Sequence, residues 1–288
     1  MSRKFLQVVL SGAILVWSGR FAHAQEMPYF VAYSHHLEDA GDLEVAVKSA
    51  SGQPGPSDRF YGEELEFEYG TRAWWTTEIY LDVQSTENES TIFTGFRLEN
   101  RFRLLMKEHV VNPVLYAEFE DVNAADKGLL EVVGHDGVPD LLEDNAVARK
   151  DKQRELELKL ILSSDVKGWN IAENFISEKN LTIAPWEFGY ALAASRPLAF
   201  RARARACRFC AEKIRVGAEM YGGLGDTDSL GTRDTSHYVA PVAGWSLPRG
   251  FSLTGSVGFG LNEYSLSRVY RVGLSYEIED VGRRSDAR

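Results

Sequence analysis

The chain has 288 residues, 42 acidic and 32 basic side chains, and a formal net charge of −10. That length holds one large domain or two small ones. The acidic balance argues against a nucleic-acid partner, because a phosphate backbone is met by a basic face.

At the start, Arg3 and Lys4 precede the apolar run 5–17, and the small-x-small triplet Ala22, His23, Ala24 precedes Gln25. This is the pattern of a secretory signal peptide over residues 1–24. The apolar run falls short of the roughly 20 residues that a spanning helix needs. Cleavage removes Arg3, Lys4 and Arg20 and no acidic residue, which takes the net charge from −10 to −13. No later stretch is a candidate membrane helix, so the exported chain enters a membrane as strands if at all. Residues 25–42 are read as a periplasmic lead-in. Within them SHHLED (34–39) sets His35 and His36 beside Glu38 and Asp39. Neighbours on a strand point to opposite faces and cannot share a metal ion, whereas a loop would allow it. No metal is assigned.

From residue 43 to 278 apolar and polar residues alternate with a period of two. About twelve strands are predicted, at 43–50, 58–69, 73–85, 90–105, 112–122, 153–164, 168–180, 185–198, 212–224, 236–247, 251–262 and 267–279. Breaks such as DVKG (165–168) and LPRG (247–250) are short enough to imply antiparallel neighbours. No amphipathic helix alternates with the strands, which argues against a parallel α/β sheet.

Alternation alone suits a soluble sheet or a barrel in lipid, with opposite faces turned to the solvent. Three features favour lipid. The predicted strands run to about 10 residues, as a tilted membrane-crossing strand requires, whereas soluble strands cluster near 5–6. Trp74, Trp75, Trp169, Trp186 and Trp245 all fall near predicted strand ends, where aromatic girdles lie. On six of the predicted strands the parity opposite the apolar one is charged: Glu64, Glu66 and Glu68; Glu78 and Asp82; Arg97, Glu99, Arg101 and Arg103; Glu118 and Glu120; Glu155, Glu157 and Lys159; Arg215 and Glu219. In a membrane barrel these groups line the lumen, and the leucines of RELELKLIL (154–162) face lipid. The domain reading is therefore an antiparallel transmembrane β-barrel over 43–279, with a long outer loop at 123–152 and a C-terminal tail at 280–288.

Cys207 and Cys210, in CRFC, are expected to form a local disulfide in an oxidising compartment. The loop 123–152 carries an apolar patch, LLEVV, between acidic flanks; it could be a constriction, a cap or a solvated loop, and is read as a partly ordered loop. Ser236 and His237 are a serine and a histidine in sequence, but adjacency does not give the facing geometry of a nucleophile and its base, and no GxSxG context accompanies them. The last strand, RVGLSYEI (271–278), places Arg271, Gly273, Tyr276 and Ile278 in the pattern by which barrel-assembly machinery reads a C-terminal strand.

At ENRFRLLMKEHVVNPVLYAEFED, KGWNIAENFISEKNL, APWEFGYALAASRPLAF and YGGLGD the sequence resembles a family of uncharacterised, porin-like bacterial outer-membrane β-barrels. The resemblance covers most of the mature chain. It implies the outer-membrane barrel and brings no substrate, cofactor or catalytic residue with it. The expected function is a channel or porin-like transporter for small polar solutes or ions through a charged lumen, with a mild cation preference. A closed structural or binding barrel with an extracellular partner is the alternative, and a lipid hydrolase the third. Expected partners are outer-membrane lipid, the assembly machinery and a small polar solute.

Overall fold

A computed structural model describes residues 27–55, 57–128, 133–182, 185–199 and 210–281. The signal peptide, Cys207, most of the LLEVV patch and residues 282–288 lie outside the described residues. Twelve strands form a closed antiparallel barrel in chain order. They are β1 Leu43–Gly52, β2 Phe60–Arg72, β3 Trp75–Thr86, β4 Thr91–Arg103, β5 Asn112–Asn123 and β6 Lys152–Val166. The second half is β7 Trp169–Asn180, β8 Glu187–Pro197, β9 Ile214–Asp226, β10 His237–Ser246, β11 Phe251–Gly260 and β12 Arg268–Ile278. The predicted strands are all present, with ends displaced by a few residues. The barrel closes where β1 meets β12, from Leu43↔Ile278 to Gly52↔Val269.

The faces are inverted relative to a soluble sheet. Leu158 and Leu160 are 38% and 40% exposed, while Glu157 and Lys159 between and beside them are 0% and 2% exposed. Ile79, Phe96, Leu98, Leu115 and Phe175 share the outer face. Water would charge about 25 cal/mol for each Å² of that apolar belt, so the belt belongs in hydrocarbon. In β4 Phe93 pairs with Val83 and Gly95 with Asp82, which leaves Thr94 as the extra residue of a bulge. The bulge keeps Phe93 and Phe96 both outward, although their spacing breaks the parity.

The start of β1 and the end of β12 lie at one end of the barrel, where the Val281 amide donates to the Gly41 carbonyl at 2.9 Å. This end carries the β2–β3 and β6–β7 turns, the latter a two-residue loop of Lys167 (φ 52°) and Gly168 (φ 82°). Two successive positive φ values make it the hairpin turn that matches strand twist, and glycine takes the second position without strain. The longest connection, β5–β6, marks the outer end, which makes the end with the β1 start and the β12 end the periplasmic one. That connection folds across the mouth rather than away from it. Val138 N–H donates to Tyr264 O at 2.9 Å, Gly134 N–H to Phe188 O at 3.0 Å, and the Asn145 side chain to Ser90 O at 3.1 Å. A 3-10 turn (Val138–Leu141) and one helical turn (Asn145–Ala148) give it internal order.

Candidate functional site

The inner wall has two halves. β7 to β10 contribute small apolar residues, Ala172, Ala191, Ala193 and Ala240, packed in one cluster with Val31 and Ala32. β1 to β6 contribute most of the charges. Arg97 is ringed by Glu64, Asp82 at 3.2 Å and Glu118 at 3.7 Å. Arg101 is ringed by Glu68 at 2.6 Å, Glu78 and Glu99 at 2.9 Å. Lys48 pairs with Glu66, and Lys159 with Glu157 at 2.9 Å. Glu120 is buried on the same wall, Glu155 accepts from Asn180 at 2.9 Å, and Arg215 and Glu219 are buried in β9. Arg103 sits lower, at the periplasmic mouth, bonded to Glu108 at 2.7 Å.

Strand register arranges the carboxylates into a line. Glu277 of β12 is paired with Glu44 of β1, and Glu44 with Glu68 of β2. Glu68 pairs with Glu78, Glu78 with Glu99, Glu99 with Glu118, and Glu118 with Glu157. The line continues through Glu178 and Glu187 to Asp226 of β9. It begins beside the periplasmic rim, at the end of β12 and the start of β1, and finishes at the outer ends of β8 and β9. The carboxylates thus climb the tilted wall as a spiral from one mouth to the other. Like charges directly opposed across strands are unfavourable. Arg97, Arg101 and Lys159, from adjoining rows, offset that cost along the middle of the line. The sequence pattern identifies five of the ten members; Glu44, Glu178, Glu187, Asp226 and Glu277 sit near strand ends, where alternation is weakest.

The lumen is filled by the N-terminal segment, which corrects the expectation of a periplasmic lead-in. Residues 27–42 run up inside the barrel and back down. Near the periplasmic end the Tyr29 hydroxyl donates to Ser195 Oγ at 2.9 Å, and burial pushes that hydroxyl up to about 12. At mid-height the amides of Phe30, Val31 and Ala32 all donate to one oxygen of Glu219, at 3.0, 2.8 and 2.8 Å. Three successive N–H groups converging on one carboxylate form a backbone nest, here holding the segment to β9. Asn174 clasps Tyr33 at both backbone groups, 2.6 and 2.9 Å.

Tyr33 then crosses to the charged wall. Its hydroxyl donates to Glu99 at 3.0 Å, its ring lies 5.1 Å from that of Tyr116, and Lys159 stands 4.7 Å from its centroid. Tyr80 donates to the same Glu99 oxygen at 2.8 Å. The chain descends through His35, His36 and Glu38 and reaches β2, where Gly41 N–H donates to Gly70 O at 2.7 Å. Burial, with Glu68, Glu277, Asp42 and Asp39 nearby, pushes the Glu38 carboxyl up to about 9.

Solvent space remains at both ends of the spiral. A cavity of about 650 Å³ at the periplasmic end is lined by Glu44, Glu68, Glu78, Arg101 and Glu277. Another of about 440 Å³ at the outer end is lined by Glu120, Glu155, Glu178 and Asp136.

Ser236 and His237 are not brought together. The Ser236 hydroxyl lies inside, 2.7 Å from both Asp136 O and Tyr264 O, while the His237 ring contacts Tyr190 OH at 3.1 Å and Thr235 Oγ1 at 2.9 Å. Cys210 is disulfide-bonded.

Twelve long antiparallel strands closed into a ring, apolar outside and charged within, define a bacterial outer-membrane β-barrel. Among solved structures the chain is similar to an outer membrane channel from Pseudomonas putida F1, with TM-score 0.51 and 12% identity over 84% of this chain and 97% of that one. It is also similar to the KdgM porin in complex with disordered oligogalacturonate (TM-score 0.47, 10% identity, 82% and 98% covered) and to the NanC porin (0.47, 10%, 82% and 100%). At these identities the likeness is one of fold. No protein-family model and no curated protein matches the chain.

Proposed function

We propose that this chain is an outer-membrane channel for small cations and small polar solutes, held shut in the conformation described by its own N-terminal segment. The carboxylate spiral carries the reading. It runs from mouth to mouth, has solvent space at each end, and is covered where Tyr33 lies on Glu99. Rings of acidic groups favour cations in a pore. The fold shared with a Pseudomonas putida outer membrane channel supports the same reading. Export places the chain in the outer membrane, with the assembly machinery recognising β12 through Arg271, Gly273, Tyr276 and Ile278.

A second reading has its own observation. Arg97 and Arg101 are each ringed by three carboxylates, as in a barrel whose interior is packed with ion pairs for stability. Conductance in a planar bilayer separates the two. The refolded mature chain is expected to give rare, small openings, and a variant lacking residues 27–40 discrete steps with a cation-selective reversal potential. Silence from a variant that still migrates as a folded, heat-modifiable barrel would favour the closed structural barrel.

A further inference from the structure

At the periplasmic mouth the descending arm of the N-terminal segment meets the end of β6. The chain bends at His35. Two adjacent imidazoles, which a strand would send to opposite faces, therefore lie side by side with centroids 4.3 Å apart. Both point their Nε2 atoms at one oxygen of Asp165, His36 at 2.9 Å and His35 at 3.8 Å. The three donor atoms lie within 4.8 Å of one another.

We propose that His35, His36 and Asp165 form a binding site for a borderline divalent transition-metal ion, of the zinc, nickel or copper(II) class. Two imidazoles and one carboxylate suit these ions and not calcium or magnesium, which take oxygen shells. Bonds of about 2.0–2.1 Å in a tetrahedral shell set donor atoms about 3.3 Å apart, between the two His–Asp distances seen here.

Three further features belong to a ligand set rather than to an ordinary ion-pair cluster. The fully buried His35 ring makes no hydrogen bond at Nε2, which has the Glu108 carboxylate beside it at 2.7 Å as an ion-pair partner. The other nitrogen of that ring, Nδ1, is fixed at 2.8 Å from Ser163 Oγ. The second oxygen of Asp165 accepts from Asn170 at 2.8 Å. Such outer partners orient ligands in metal sites. An ion there would tie the N-terminal segment to the end of β6, whatever the barrel conducts.

The test uses the untagged, refolded mature barrel, stripped with chelator and titrated with zinc chloride by calorimetry. One zinc per chain is expected, with affinity at least about tenfold weaker in both His36→Ala and Asp165→Asn. Both side chains are partly exposed, and heat-modifiability establishes that each variant is folded. Cobalt(II) in place of zinc is expected to give the visible absorption of a tetrahedral site, lost in the same variants. Absence of zinc binding by the folded wild type, or unchanged affinity in either variant, would overturn the proposal. So would full competition by calcium, which would move the ion to the carboxylate clusters.

Discussion

Among the described residues Lys159 is the most enclosed cation of the lumen: its ammonium touches Glu157 at 2.9 Å and lies 4.3 Å from the Tyr116 ring centroid and 4.7 Å from that of Tyr33. Removing one partner of such a pair leaves a buried charge uncompensated, which costs about 3–5 kcal/mol. Lys159→Ala is therefore expected to lower the urea midpoint of the folded barrel by that equivalent. Lys159→Met combined with Glu157→Gln, which keeps the volume and removes both charges, is expected to recover most of the loss. The side to which these residues face is legible in RELELKLIL, because parity alone puts Glu157 and Lys159 together. That Tyr33 arrives over them is not, since nothing in the spacing of residues 27–42 shows that the segment turns inward. The bend that lets His35 and His36 face one carboxylate is hidden for the same reason.

At the scale of elements, period-two alternation shows all twelve strands because each has one face in lipid and one on a polar interior. Where both neighbours of a residue are irregular, the signal ends, and the β5–β6 connection is the example. Its composition favours a partly ordered loop without showing where it folds; its hydrogen bonds to Tyr264, Phe188 and Ser90 place it across the mouth. Gly62 of β2 lets it approach, for a Cβ there would stand 2.3 Å from the Gly128 Cα. Gly62→Val is expected to push the loop off the wall without opening the barrel. Limited proteolysis within 124–151 should then be several-fold faster, while the heat-modifiable band persists. Ser236→Ala removes the hydroxyl that bonds Asp136 O or Tyr264 O and should act in the same direction by about 1 kcal/mol.

For the whole molecule, the acidic spiral is a property of stagger. Sequence shows which strands carry a glutamate on the polar face; it does not show that the register of ten strands aligns them, because stagger is fixed by closure of the ring. If ions follow the spiral, selectivity resides in its middle steps. In the variant lacking 27–40, the triple change Glu99→Gln, Glu118→Gln and Glu157→Gln is expected to move the reversal potential under a salt gradient most of the way to zero while leaving a conducting barrel. Unchanged selectivity would remove the spiral from the path.

The seat of the N-terminal segment also sets an order of events. Val31 is bonded to Glu219, 188 residues later, and Tyr29 to Ser195, 166 residues later. Residues 29–32 lack these partners until β7 to β9 are in place. Contacts so distant in sequence form late, because the loop they close must first be ordered. Tyr29 to Ala32 are thus expected to settle on the wall later than Gly41, whose partner Gly70 lies only 29 residues away.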